Sequence, residues 1–187
     1  ASLGNDTGAT AASTGTLDLS GLALASTEAI NLSGVGASGA GALTASVTSS
    51  IAATNVVTLV DDASIGGAGD LTISGALGDG GGAKSLTKVG AGTLLLSVAS
   101  TYTGTTAING GILQAGVADV IGTSSAVGLG GSGTFDMNGT SQTLKQLSGS
   151  GAVTNTAVGA VTLTVDTTGA GSAYTGAIAE PSGAVAL

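Results

Sequence analysis

The chain has 187 residues, of which Gly, Ala, Thr and Ser fill 116, and only 7 % are charged, against roughly 25 % in an ordinary soluble domain. Lys84, Lys88 and Lys145 are its only basic side chains, and eleven acids bring the net charge to −8, which argues against a nucleic-acid partner. The absence of His and Cys removes imidazole catalysis and thiolate or imidazole metal sites, and three aromatics (Tyr102, Phe135, Tyr174) are too few for an aromatic core or the girdles of a membrane barrel.

Disorder does not fit either. Gly and Pro fill 36 positions, below the roughly 25–30 % of low-complexity chains. The mean hydropathy is positive, +0.54, whereas disordered chains are polar. No run approaches the ~18 apolar residues of a membrane helix, so no membrane insertion is expected of this segment. Ala1 opens the chain without a Met or a signal peptide, which reads as a piece of a longer, processed protein.

Along the chain the apolar period is two. Leu17 and Leu19 alternate with Thr16 and Asp18; Leu43, Ala45 and Val47 alternate with Thr44, Ser46 and Thr48. The pattern returns in Leu71 and Ile73, in Leu94, Leu96 and Val98, in Phe135 and Met137 around Asp136, and in Val161, Leu163 and Val165. Such alternation predicts short strands with one set of side chains inward and the Thr, Ser and Asp set outward. A Gly arrives every five residues or so, which opposes helix. Lys84, Leu86 and Lys88 share a parity, so Lys88 is expected where its strand reaches a corner. Asn109-Gly110-Gly111 and Asn138-Gly139 tolerate φ > 0 and, taken locally, signal two-residue hairpins.

Longer-range repetition points away from hairpins. Gly15-Thr16-Leu17-Asp18-Leu19 returns as Gly133-Thr134-Phe135-Asp136-Met137, Leu32-Ser33-Gly34 as Leu147-Ser148-Gly149, and Val57-Thr58-Leu59 as Val161-Thr162-Leu163. Gly41-Ala42-Leu43-Thr44 likewise matches Gly151-Ala152-Val153-Thr154, and Leu86 matches Leu187. The offset shrinks from 118 to 101 residues, so the strands are kept while the loops shorten. One segment, 1–187, is expected, with a first copy over about 15–114 and a truncated second over about 133–187, a window on a longer array. Stacked coils would hydrogen-bond along their whole length and fill a narrow interior with Val, Ile, Leu, Ala, Ser and Thr. The expected class is all-β, a β-solenoid, rather than a sandwich or propeller, which would carry more aromatics.

Residues 86–114 read LTKVGAGTLLLSVASTYTGTTAINGGILQ. This resembles the autotransporter-associated β-strand repeat at Leu86, Thr87, Lys88, Gly90, Gly92, Thr93, Leu94, Leu96, Tyr102, Gly104, Thr106, Ile108, Gly111 and Leu113. Ser100 or Thr101 stands where that family often has Asn. Tyr174-Thr175-Gly176-Ala177-Ile178 resembles the lead-in to another copy. The resemblance implies a right-handed parallel β-helix in the secreted passenger of a Gram-negative autotransporter, where such repeats accompany secretion and folding.

Chemistry-bearing patterns are sparse. Gly66-Gly67-Ala68-Gly69-Asp70 and Gly130-Gly131-Ser132-Gly133-Thr134-Phe135-Asp136 come near the calcium-binding nonapeptide, with the Asp one residue early and one late; a one-residue slip turns a carboxylate to the other face. Asp61, Asp62, Asp70 and Asp79 form the densest acidic region, which could hold a weak surface cation but reads better as solvated turn residues. Gly34-x-Gly36-x-x-Gly39 and Gly128-x-Gly130-x-x-Gly133 match the dinucleotide fingerprint formally, but neither opens a helix after a strand. Asn5-Asp6-Thr7, Asn31-Leu32-Ser33 and Asn138-Gly139-Thr140 match the N-glycosylation pattern. Thr103/Thr105 and Thr162/Thr164 put two Thr on one side of a strand without recurring in each coil. Asp18 and Asp136 hold matching repeat positions, which suggests a repeated structural role. No catalytic, cofactor-binding or metal residues are therefore expected. The sequence reads as a non-enzymatic structural stalk of a secreted cell-surface protein, partnered by neighbouring repeats of its own chain. The alternative is an adhesin or self-associating subunit that meets a host or glycan receptor through an exposed face or open coil ends.

Overall fold

Short apolar alternations broken by Gly, Asn and Asp cannot propagate as long hairpins; they bend after a few residues. In the computed structural model they form a parallel β-solenoid of about seven turns. The structure describes residues 9–11, 15–25, 27, 29–122, 126–166, 173–180 and 185–187. Among these residues every strand pairing is parallel, and the single helical element is the 3-10 turn Ala37–Gly39.

The coil has three faces. The first stacks Leu17–Asp18, Leu43–Thr44, the end of Val56–Gly66, Leu86–Lys88, Thr106–Ile108, Ala126–Leu129 and Gln146–Gly149. On the second lie Ala23–Leu24, Ser49–Ile51, Leu71–Ile73, Thr93–Leu96, Gly111–Ala115, Gly133–Asp136, Ala152–Thr154 and Ile178–Ala179. The third carries Ala9–Ala11, Ala29–Gly34, the start of Val56–Gly66 and Leu77–Gly78, and further along Gln142–Leu144, Val161–Val165 and Val185–Ala186. First-face partners lie 20 to 26 residues apart, as in Leu17↔Leu43 and Lys88↔Ile108. That separation is the length of one coil, and each rung adds about 4.8 Å along the axis.

Inward side chains stack in columns. Leu43, Ile65, Lys88, Ile108 and Leu129 form one, and Leu71, Leu94, Leu113, Phe135 and Val153 another, all buried. The long strand Val56–Gly66 turns from the third face onto the first: Leu32 pairs with Leu59 but Gly34 with Ala63, so Val60, Asp61 and Asp62 bulge outward. Glycine allows the close approach at the corners. At Gly90 φ is +75°, and a Cβ would lie 2.5 Å from the Gly67 oxygen one coil away.

Three expectations need correction. Val47 and Val98 are 59 % and 37 % exposed, because their strands end at Thr44 and Leu96 and the chain has turned before the alternation reaches them. Asp136, placed outward by parity, is 1 % exposed, since the coil bends immediately after it and folds its carboxylate under the corner. Asn109-Gly110 and Asn138-Gly139 form corners between faces and not hairpin turns, the strands on either side pairing in parallel with neighbouring coils. The matched halves also change face: Leu17 is on the first and Phe135 on the second, while Val57 and Val161 are both on the third. What recurs is the chemistry of a corner, which fits more than one position around the coil.

Candidate functional site

The most specific stretch of the sequence is built around Lys88. Its strand lies between Ala63–Ile65 and Thr106–Ile108, and parity turns residue 88 inward between Ile65 and Ile108. The side chain is 2 % exposed, and its Nζ donates to the carbonyl oxygens of Val89 (2.8 Å), Gly90 (3.2 Å) and Gly110 (3.2 Å). Burial lowers this ammonium to about 8, with the charge of Asp70 pulling the other way. The expected corner position is met by the ammonium, while the aliphatic stem stays in the core. Lys84 precedes the strand and pairs with Asp61 at 3.1 Å near the surface.

Further along the same stretch, Tyr102 is buried with its hydroxyl 2.6 Å from Thr106 Oγ1. Burial raises the phenol and the Thr106 bond opposes that. A Cβ at Gly104 would come within 2.3 Å of the Lys84 oxygen, so the chain passes the preceding coil at backbone contact distance. Tyr174 repeats the arrangement less deeply, its hydroxyl lying 2.9 Å from Gly151 O and 2.7 Å from Ala177 O.

The repeated structural role expected of Asp18 and Asp136 is met, and four further aspartates share it. Each of six carboxylates accepts the backbone N–H of a Ser or Thr one coil further on. Asp18 takes Ser46 (3.0 Å), Asp62 takes Ser85 (2.8 Å) and Asp70 takes Thr93 (2.8 Å). Asp79 takes Thr103 (2.8 Å), Asp119 takes Thr143 (2.7 Å) and Asp136 takes Thr156 (3.1 Å). At Asp18, Asp79 and Asp136 the same carboxylate also accepts the N–H two residues on, from Ser20, Gly81 and Asn138. It therefore fixes its own corner and clamps the next coil. Ser20 and Asn138 sit at φ +48° and +45°, the left-handed turn that such Asx contacts tolerate. Asp79 also accepts the Lys84 N–H and the Thr103 hydroxyl, and the Thr103 amide foremost holds its carboxyl down at about 2. At Asp136 burial pushes upward, but bonds from Gln114, Thr156 and Asn138 leave the carboxyl below its ordinary value. Asp18 is lowered by the same balance, burial against Ser46 and Ser20. A search for Asp followed 20–28 residues later by Ser or Thr would have found these pairs, but Ser and Thr fill 49 positions and the signal is swamped.

Both near-calcium segments end in such clamps: the carboxylates of Asp70 and Asp136 already hold the protein's own donors. Among the described residues no three acids gather as metal ligands. Gly36 precedes only a three-residue 3-10 turn, and Gly128 and Gly130 lead to another strand, so neither glycine fingerprint opens a helix. Asn31 lies in a strand paired on both sides, Asn138 Nδ2 donates to Ala115 O, and Asn5 falls outside the described residues. Thr103 donates to Asp79 and Thr105 contacts Ser85, while Thr162 and Thr164 adjoin Ala186 and Thr143. Shallow hollows lie on the outside, and two of them are lined by polar side chains of several coils. One of about 310 Å³ is lined by Ser85, Thr103, Thr105, Lys145 and Gln146, and one of about 400 Å³ by Asp70, Thr72, Thr93, Leu95 and Gln114. Neither brings two acids together.

The family model of the passenger-associated-transport-repeat matches residues 86–115. The "Adhesin BmaC autotransporter" of Brucella suis biovar 1 (strain 1330) is 37 % identical over 100 residues, covering 52 % of this chain and 3 % of that protein. This chain therefore spans a small fraction of the relative's length. No solved structure matches. The matched segment holds the buried Lys88, the Tyr102–Thr106 contact and the tight Gly90 and Gly104 corners: residues 86–115 are an autotransporter passenger repeat.

Proposed function

We propose that this chain is a non-catalytic structural segment of an autotransporter passenger, a stalk that folds coil on coil and displays other parts of the protein at the surface of a Gram-negative bacterium. The observation that carries this reading is the use of the carboxylates. Six of them are spent on holding consecutive coils together. A stalk needs cohesion between neighbours, because in a solenoid each repeat contacts only the next.

The test is a deletion of one coil in the full protein. Removing residues 88–107 joins Thr87 to Ile108, the partner of Lys88, and so keeps the register. Removing 88–97 does not. The stalk reading expects the in-register deletion to be exported and displayed, shorter by about one 4.8 Å rung, with binding to cells unchanged, and the out-of-register deletion to fail in display. Normal display with lost cell binding would instead favour the second reading, a binding module. That reading draws on the adhesin name of the relative.

A further inference from the structure

Two Asn-Gly steps make corners, and their surroundings differ in a way that bears on covalent chemistry. At Asn138-Gly139 both reacting groups are held: Asn138 Nδ2 donates to Ala115 O at 3.1 Å, and the Gly139 N–H donates to Asn155 Oδ1 at 2.8 Å. Asn109 is exposed, and among the described residues neither its carboxamide nor the Gly110 N–H has a hydrogen-bond partner. The peptide joining them is polarised. Ser132 Oγ donates to its carbonyl oxygen, that of Asn109, at 2.8 Å, and on the following Gly110–Gly111 peptide the Lys88 ammonium donates to the Gly110 oxygen at 3.2 Å. A donor on the carbonyl and a nearby cation both favour loss of the amide proton from Gly110 nitrogen. With no side chain, Gly110 leaves that nitrogen open to approach.

We propose that Asn109-Gly110 is a self-modification site, converted by water to a carboxylate while the chain is folded. Gly110 nitrogen gives up its proton and attacks Asn109 Cγ. The N–Cγ bond forms, the Cγ–Nδ2 bond breaks, and ammonia departs with the proton, leaving a five-membered imide. Water then adds to one imide carbonyl. Opening at the main-chain carbonyl gives a β-linked aspartyl, and opening at Cγ gives an ordinary aspartyl. Carbon oxidation states are unchanged; one amide and one water become one acid and one ammonia. The product sets an anion at the corner that carries the buried Lys88 ammonium. Ser132 is a positioning residue in this step, acting through the Asn109 carbonyl.

The folded 187-residue chain, aged at neutral and mildly alkaline pH, is analysed by tandem mass spectrometry for the amide-to-acid mass gain at residues 109 and 138. Both bonds at Asn138-Gly139 must open before reaction, so conversion at 109 is expected to run about thirtyfold faster than at 138. In concentrated urea the two rates should converge. Ser132→Ala should slow conversion at 109 about fivefold and move its rate–pH profile to higher pH, with Ser132→Thr restoring it. Equal rates at the two sites in the folded chain would overturn the proposal. So would an intact Asn109 after a time in which the urea-unfolded chain has converted. An unaltered pH profile in Ser132→Ala would remove the role given to Ser132.

Discussion

Replacing Asp79 by Asn probes the clamps most sharply. The carboxylate is 7 % exposed and accepts four hydrogen bonds: Gly81 N–H on one oxygen, and Lys84 N–H, Thr103 N–H and the Thr103 hydroxyl on the other. The best-placed carboxamide keeps its oxygen toward Thr103 and Lys84 and turns its –NH2 against the Gly81 N–H. One bond is then lost outright, and three fall from charge-assisted to neutral strength. Taking the low end of about 1.5–3 kcal/mol for a bond to a charged group and about 1 kcal/mol for a neutral one, Asp79→Asn should cost at least about 3 kcal/mol. At a urea m-value of about 2 kcal/mol/M the midpoint falls by about 1.5 M, read by far-ultraviolet circular dichroism. The sign with pH follows from the carboxyl being lowered from 3.8 to about 2 in the folded chain. The unfolded state binds the proton first, so the wild-type advantage is whole above about pH 4 and fades as pH falls toward 2. A loss under about 0.5 kcal/mol at pH 7, or a difference that persists unchanged at pH 2, would refute the clamp.

Two further outcomes are expected. Phe135→Ala empties a fully buried position stacked between Leu113 and Val153 and should cost about 3–5 kcal/mol; because coils lean only on their neighbours, hydrogen exchange should quicken in Gly111–Ala115 and Ala152–Thr154 while Ile30–Leu32 keeps its protection. Lys88 is held at about 8 against 10.5 when unfolded, so the folded chain binds fewer protons between those values and stability should rise with pH across that window. Lys88→Met should lose that rising limb, and an identical slope of urea midpoint against pH in the two proteins would contradict it.

How far the sequence could be read depends on which interactions are local. Strand positions such as Leu94, Leu96 and Leu71, Ile73 follow from period-two alternation, a property of adjacent residues, and the structure buries all four. Lys88 was legible because its parity with Leu86 conflicted with its charge, and the conflict is resolved by carbonyls at a corner. Val47 and Val98 were misplaced because the end of a strand is set by the corner that follows. The clamps were invisible for a different reason: the partner of Asp136 lies 20 residues away and that of Asp18 lies 28 away, so no fixed spacing exists until the coil lengths are known. For the same reason the matched halves gave the recurring corner, Asp18 with Ser20 and Asp136 with Asn138, but not the face on which each lies.

Neighbouring strands belong to successive parallel coils, and paired cysteines test this directly in a chain that has none of its own. Thr87 and Ala107 are register partners on adjacent coils, whereas Ala107 and Ile112 would face each other only if Asn109-Gly110 closed an antiparallel hairpin. Adjacent strands lie about 4.8 Å apart, within the Cα separation of about 4.4–6.8 Å that a disulfide spans. The stacked coil predicts that Thr87→Cys with Ala107→Cys oxidises readily to an intramolecular disulfide while Ala107→Cys with Ile112→Cys does not; the reverse result would contradict it.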